Sequence, residues 1–462
     1  MPESSLDPRP EAARRRVRPT VMKRRTAAGI SPAFAAAWAG QFVSLVGSGM
    51  TTFALGLWVY QIRGAVTDYA LLGACAIAPR VVLAPVVARV VDSFPRRRVM
   101  LATQAAGAAT TLALLALLVG GSLQIWHVYV AGAALGTAAA FEWPVWSAAT
   151  TLLVAEAQLA RAAGLVAMAQ GVADVVAPMV GGALLVTIGV APILALDAAS
   201  FLVAVVALTL VRFPEPTRAA ATRPPQLAEG WRWLRARPAL MALLAFVAGV
   251  NFLWGLVGAL AAPLILSFAT PGELGVVFSI AGLGVIAGSV SMTAWGSPRR
   301  KLAGILAAEL GSGFAFIGMG IRPNLILVAG GVFVAHVTLP VIGACGQAIW
   351  QAAVPAELQG RVFAIRQAIE RAAIPVAYVL AGPLLYGIFR PALAPGGAAS
   401  GVAGLLGARP DGGIALMFVL MGLIQIVVAV AAIGASQRRP ARGRQAPAAW
   451  ATAPDASPGI NS

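Results

Sequence analysis

The chain has 462 residues, of which 59% are hydrophobic and 11% charged, and it carries a net charge of +17. A soluble domain averages about a quarter charged residues, so this composition excludes an ordinary soluble protein. The excess of Lys and Arg does not mark a nucleic-acid-binding face either, because these residues sit between long apolar blocks.

Residues 1–32 read as a disordered tail whose basic stretch, Arg14 to Arg25, sets topology. The apolar stretch behind it is too long for the core of a signal peptide. Twelve apolar blocks follow, at 33–61, 69–91, 99–119, 124–147, 164–188, 191–212, 239–268, 273–295, 302–321, 324–349, 363–389 and 412–434. A hydrocarbon core of about 30 Å needs roughly 20 apolar residues in a helix. In lipid, a spanning segment must pair its own backbone groups as a helix or close into a barrel. Barrel strands would alternate in polarity over about ten residues; these Ala-, Leu-, Val- and Gly-rich blocks do not. The fold class is therefore an all-α membrane protein with twelve transmembrane helices.

Few ionisable residues interrupt the blocks. Each costs about 2.5–3.5 kcal/mol at the bilayer centre on insertion scales, so each is a functional candidate. Arg80 lies midway along span two. After that span comes Asp92, followed by Arg96, Arg97 and Arg98, where an acid beside three arginines suits a gate. Glu142, Asp174 and Asp197 lie in spans four, five and six, with Asp174 the deepest. Span five also carries Pro178, Gly181 and Gly182, which predict tight packing and a helix bend. Glu309 in span nine is a weaker candidate. Arg366, Glu370 and Arg371 open span eleven, and the four-residue spacing predicts an Arg366–Glu370 pair. His127 and His336 are expected to be packed or hydrogen-bonded. Trp143, Trp146, Trp254 and Trp350 are read as interface anchors or as the lining of a drug-sized cavity. Cys75 and Cys345 are the two cysteines, both inside apolar blocks, and imply no disulfide framework.

The linker at 213–238 divides the chain. Within it, Leu227, Trp231 and Leu234 recur at spacings of four and three, with Arg232, Arg235 and Arg237 on other faces. This is the pattern of an interfacial amphipathic helix. The domain plan is a 1–32 tail, a 33–212 half, the linker, a 239–435 half and a disordered 436–462 tail. The halves echo each other: Pro95-Arg96-Arg97-Arg98 matches Pro298-Arg299-Arg300-Lys301, Val154 and Arg161 match Val354 and Arg361, and Ala177-Pro178 matches Gly382-Pro383. Matches in one order at nearly one offset indicate a duplicated six-helix unit.

Together these stretches resemble the major facilitator superfamily. Asp92, Arg96 and Arg97 match its signature loop G-x-x-x-D-R-x-G-R-R, whereas Ala88, Ser93 and Pro95 depart from it. Ala177-Pro178-Met179-Val180-Gly181-Gly182 is similar to the antiporter signature G-P-x-x-G-G. Pro79-Arg80, Asp197 to Phe201 and Leu358 to Phe363 look like the branch of macrolide and enterobactin exporters. The resemblance implies the major facilitator fold, alternating access, and export of a small molecule. Asp92, Arg96 and Arg97 would form the gating loop.

No P-loop, His/Cys metal cluster or G-x-S-x-G occurs, so the chain is read as a non-enzyme without cofactor or metal. An ion gradient must then supply energy, and protons are the default, with Asp174 as carrier and Glu142 or Asp197 as fallbacks. The expected partners are a small-molecule substrate, protons and the lipid bilayer, with the chain a monomer. Two alternatives stand beside export: an importer or facilitator on the same fold, and a non-transporting sensor or scaffold.

Of the 34 Lys and Arg residues, 26 fall in one alternate set of loops and tails, four in the other set and four within spans. By the positive-inside rule this predicts a multi-pass cell-membrane protein with both termini cytoplasmic. Reporter fusions after Arg237 and after Arg444 should both report cytoplasm; a periplasmic signal at either would overturn the orientation.

Overall fold

The computed structural model describes residues 31–211, 213, 227–296, 298, 300–401 and 411–437. The expected tails at 1–30 and 438–462 and the Pro- and Arg-containing stretch 214–226 lie outside them. The described residues form α1 (Pro32–Arg63), α2 (Val66–Val82), α3 (Ala84–Ser93), α4 (Arg96–Val119), α5 (Ile125–Leu153), α6 (Leu159–Ile188) and α7 (Val190–Leu210). After the linker come α8 (Leu227–Arg235), α9 (Pro238–Leu266), α10 (Pro271–Trp295), α11 (Lys301–Ile321), α12 (Leu325–Ala353), α13 (Ala356–Leu384), α14 (Arg390–Leu393) and α15 (Gly412–Gln437). Ten helices or continuous helical stretches are long and apolar enough to span a membrane, and the bent pair α2–α3 makes an eleventh. α5, 29 residues long and interrupted by Trp126, His127, Tyr129 and Glu142, falls outside that count and occupies the place of the expected span at 124–147.

The helix ends follow local chemistry. Ser31 caps α1, its hydroxyl accepting from Phe34 N at 3.1 Å, with Pro32 at the first position. Gly64 ends α1 in the left-handed region at φ 65°, its N–H donating to Tyr60 O. Thr270 and Glu273 make a reciprocal capping box at the start of α10.

One feature departs from the sequence reading. Span two is broken at Leu83, where α2 and α3 meet at 54°. Pro79 and Pro85 bracket the break, each removing one N–H from the helical ladder. Span five is one continuous helix, α6, with Pro178 inside it.

Packing reproduces the duplication. In the first half, α1 packs on α6 and α7, α2 on α5, and α4 on α5 and α7. The second half repeats this with α9 on α13, α10 on α12, and α11 on α12 and α15. The halves meet through α2 with α13 and α6 with α10. Exchanging the halves turns one of these contacts into the other, as a two-fold repeat requires.

Small residues permit the junction. A Cβ on Gly275 would stand 2.5 Å from Pro178 O, and one on Gly182 would stand 3.0 Å from Pro271 O. On the other seam, Tyr378 lies against Gly73 and Gly258, and Thr67 lies against Gly382. Among the bonds that join the halves, Ser279 Oγ donates to Val175 O at 2.6 Å, and Val66 N donates to the Tyr386 hydroxyl at 3.1 Å. These contacts run along residues 171–182 of α6 and 66–73 of α2, away from the end carrying Arg96 to Arg98.

α8 docks on the second half at the basic end. Leu234 is buried with Trp350, Val354 and Val362, and Glu229 pairs with Arg361. Leu227 and Trp231 remain exposed, so the apolar stripe divides between the protein and the surroundings.

Because the clash at Gly275 is with backbone, Gly275→Ala should cost about 1–3 kcal/mol. A lowered midpoint of thermal unfolding in detergent would show it; an unchanged midpoint would mean that α6 and α10 can separate freely.

Candidate functional site

Three charged residues stand at mid-depth around the space between the halves. Arg80 is 14 residues from Val66 and 13 from Ser93; Asp174 is 15 from Leu159 and 14 from Ile188; Glu142 is 17 from Ile125 and 11 from Leu153. Arg80 and Asp174 are exposed although α2 and α6 are the helices that meet the other half. Arg80, Glu142 and Asp174 thus stand at similar depth on three different helices of the first half. Gln170 Nε2 donates to Asp174 Oδ1 at 2.9 Å from one turn earlier on α6. Pro178 lies one turn beyond Asp174, toward the closed end.

Asp197 is placed differently. It is 0% exposed, between α1, α4 and α7. Ser48 donates to its Oδ1 at 3.2 Å, Ser200 to the same oxygen at 3.4 Å, and Thr111 to Oδ2 at 3.2 Å. Three hydroxyls solvate the carboxyl where water does not reach it. Nearby, Ser44 Oγ donates to Gln104 Oε1 at 2.9 Å, and Gln104 Nε2 donates to Gln41 Oε1 at 2.9 Å. Polar bonds thus tie α1 to α4 and α7.

The second half has its own charged group near the basic end. Arg366 Nε donates to Glu370 Oε1 at 2.8 Å, the pair expected from the four-residue spacing. Arg366 also donates to Gln347 Oε1 of α12 at 3.1 Å and stands over the Trp350 ring. Asn251 of α9 donates to Glu370 O at 2.9 Å. Arg371 is exposed on the same helix. Spacing alone could have revealed Gln170; nothing in the sequence pointed to Gln347 or Asn251, which come from other helices.

At the basic end, Asp92 is exposed. Arg97 does not bond it. Arg97 instead donates through Nε to Leu208 O at 3.0 Å and through Nη2 to Thr209 O at 2.7 Å, satisfying the last carbonyls of α7. Arg96 is half-buried beside it. A Cβ on Gly181 would stand 3.3 Å from Met50 Cα of α1, and one on Gly182 would meet α10, so the span-five glycines serve both of their helix's neighbours.

The tryptophans and histidines are mostly packed. Trp146 stacks on Phe34, Trp350 is fully buried, and Trp254 lies edge-on to Phe316 and His336. Trp143 alone of the four is largely exposed. The His336 ring bonds Val332 O at 2.8 Å, and Gln124 N donates to His127 Nδ1 at 2.9 Å.

Comparison with known proteins agrees with this architecture. The family profile described as Major Facilitator Superfamily matches residues 37–378. Macrolide efflux protein A of Streptococcus pyogenes is 24% identical over 74% of this chain and 87% of its own length. Enterobactin exporter EntS of Shigella flexneri is 28% identical over 64% of this chain and 71% of its own. A bacterial homolog of the human lysosomal transporter Spinster, in an inward-facing and unoccupied conformation, superposes with a TM-score of 0.65 at 16% identity, covering 87% of this chain and 96% of that one. With its duplicated helical halves, mid-depth charges and a profile match over most of its length, this chain belongs to the major facilitator superfamily of membrane transporters.

Proposed function

We propose that the protein exports a small amphipathic molecule, such as a drug, antibiotic or secondary metabolite, across a cell membrane by proton antiport and alternating access. The observation that carries this reading is the placement of Arg80, Glu142 and Asp174 at mid-depth, with Arg80 and Asp174 on the two first-half helices that meet the other half. The names of the macrolide and enterobactin relatives support export over import. The positive-inside rule assigns the basic end to the cytoplasm, which makes this conformation inward-open and leaves both termini inside. One chain supplies both halves, so a monomer suffices.

In this cycle, Asp174 releases its proton to the cytoplasm while the space is open inward. The carboxylate left behind is balanced by Arg80, and the substrate enters. The halves then part along α2–α13 and α6–α10 and close at the basic end. There Asp92, exposed in the present conformation, gains a partner from the other half. Asp174 takes a proton from outside as the substrate leaves. Gln170 keeps the carboxyl oriented throughout, and Pro178 places the proton site one turn from the moving contact. Glu142, at similar depth, is the fallback carrier; Asp197, enclosed by hydroxyls, is a poorer one.

A toxicity panel with and without expression selects a substrate. In vesicles loaded with that compound, Asp174→Asn should lower pH-driven uphill export to the level of empty vesicles, while binding remains measurable and the unfolding midpoint stays at the wild-type value. Asp92→Asn should express normally and slow export. Asp197→Ala should instead cost about 1–3 kcal/mol of stability by stripping the Thr111 and Ser48 hydroxyls of their acceptor, while Ser200 keeps its bond to the backbone oxygen of residue 197. Unchanged pH-driven export by Asp174→Asn would remove Asp174 from the mechanism.

A further inference from the structure

We infer that Glu309 holds a proton as a neutral carboxylic acid and closes a two-bond ring with Gln425, clamping α11 to α15. Glu309 is 1% exposed and Gln425 3%. Glu309 lies eight residues from Lys301 and twelve from Ile321, within the membrane-spanning part of α11. Gln425 Nε2 donates to Glu309 Oε2 at 2.6 Å. That bond leaves Glu309 Oε1 and Gln425 Oε1 buried, and no protein donor reaches either oxygen.

Donor arithmetic decides the protonation state. A carboxylate only accepts, and so does an amide oxygen. Two orphan acceptors on adjoining groups cannot satisfy each other without a hydrogen. One proton on Glu309 Oε1 supplies it: the acid O–H donates to Gln425 Oε1 while the amide N–H donates to Glu309 Oε2. Both orphans are removed by the same atom.

Charge points the same way. α11 packs on α12 and α15. Among the described residues of those helices, α15 carries no ionisable group and α12 carries His336 and Cys345. The His336 ring is bonded to Val332 O and faces Trp254. Lys301 opens α11 itself, about 12 Å along the axis at 1.5 Å per residue. Among the described residues, Gln425 is the side chain that bonds Glu309. An isolated buried carboxylate takes up a proton in preference to remaining charged. A metal cation is the poorer occupant, since hard cations gather about six or more oxygens and only two are free here. The hydroxyl of Ser312, one turn on, is already committed to Ala308 O and Glu309 O.

The equivalent pair in the first half, α4 with α7, shows the opposite solution. Asp197 there receives three hydroxyl donors; Glu309 receives one amide. The duplicated helix pair thus holds a hydroxyl-solvated carboxyl on one side and a neutral acid on the other.

This inference depends on α11 lying in the bilayer, not on the direction of transport or on Asp174. Infrared spectroscopy of the purified wild-type protein at neutral pH should show a protonated-carboxyl band. It should shift in heavy water, shift again on ¹³C-glutamate labelling, and be lost in Glu309→Gln. Because glutamine can rebuild the ring, that variant should keep the wild-type unfolding midpoint. Gln425→Leu should keep the proton but move the band to higher frequency, because the acid loses its acceptor; this arm stands even where Glu309→Gln fails to fold. Absence of a glutamate acid band in wild type, or a band unmoved in Gln425→Leu, would overturn the proposal.

Discussion

The cost of placing an unbalanced charge in hydrocarbon governs this protein more than any single contact. Each ionisable group within the spans must be paired, be solvated by protein donors, be neutral, or face an aqueous space. The structure uses all four solutions. Arg366 and Glu370 pair with each other. Asp197 is enclosed by hydroxyls. Glu309 meets one amide. Arg80 and Asp174 are exposed on the helices that meet the other half. Only an exposed group is free to exchange partners, which is why the proposed cycle runs through these two.

That sorting explains what was legible in the sequence and what was not. Apolar length and loop charge were enough for the number and order of the spans, because each helix must satisfy its backbone on its own. Internal matches such as Pro95–Arg98 with Pro298–Lys301 were enough for the duplication, because sequence offset preserves chain order. The intrahelical Arg366–Glu370 pair followed from spacing. The surroundings of the acids did not. Asp197 and Asp174 look alike in sequence, each a lone acid in an apolar block; one is buried among Ser48, Thr111 and Ser200, and the other is exposed. Thr111 and Ser48, which bond Asp197, lie 86 and 149 residues away in the chain, and no periodicity encodes such distances. Likewise Arg97, whose motif suggested a gate, caps α7 in this conformation.

Proline placement teaches a related point. Pro178 sits inside α6 without breaking it, while Pro79 and Pro85 accompany a 54° break at Leu83. Two prolines six residues apart weaken successive turns of one helix, whereas α6 is supported along both sides of its single proline by α1 and α10. The break falls just beyond Arg80, so the lower part of span two is turned relative to the segment that bears the mid-depth cation. A broken helix beside a charged site gives that charge freedom that a straight, fully packed helix would deny it.

The closed end of the junction is built to part at low cost. Its two seams rely on glycine, alanine-sized surfaces and tyrosine rings, with one hydrogen bond identified on each seam. In lipid the hydrophobic effect gives helices little reason to associate, so close van der Waals fit supplies most of the attraction. Such fit is lost within a fraction of an ångström and is regained as quickly, without stranding buried charges. The Val66–Tyr386 bond uses a helix N-terminal N–H, and the Ser279 hydroxyl also bonds its own helix at Gly275 O, 2.9 Å away. Ser279 therefore keeps an acceptor when the halves separate, and the opening leaves few orphaned groups behind. The same economy is absent within each half, where Asp197, the Gln41–Gln104–Ser44 chain and the Glu309–Gln425 pair knit helices together with buried polar bonds. Polar ties inside the halves and mostly apolar contacts between them make each half firmer than the seam that joins it to the other, which is the mechanical arrangement the proposed cycle requires.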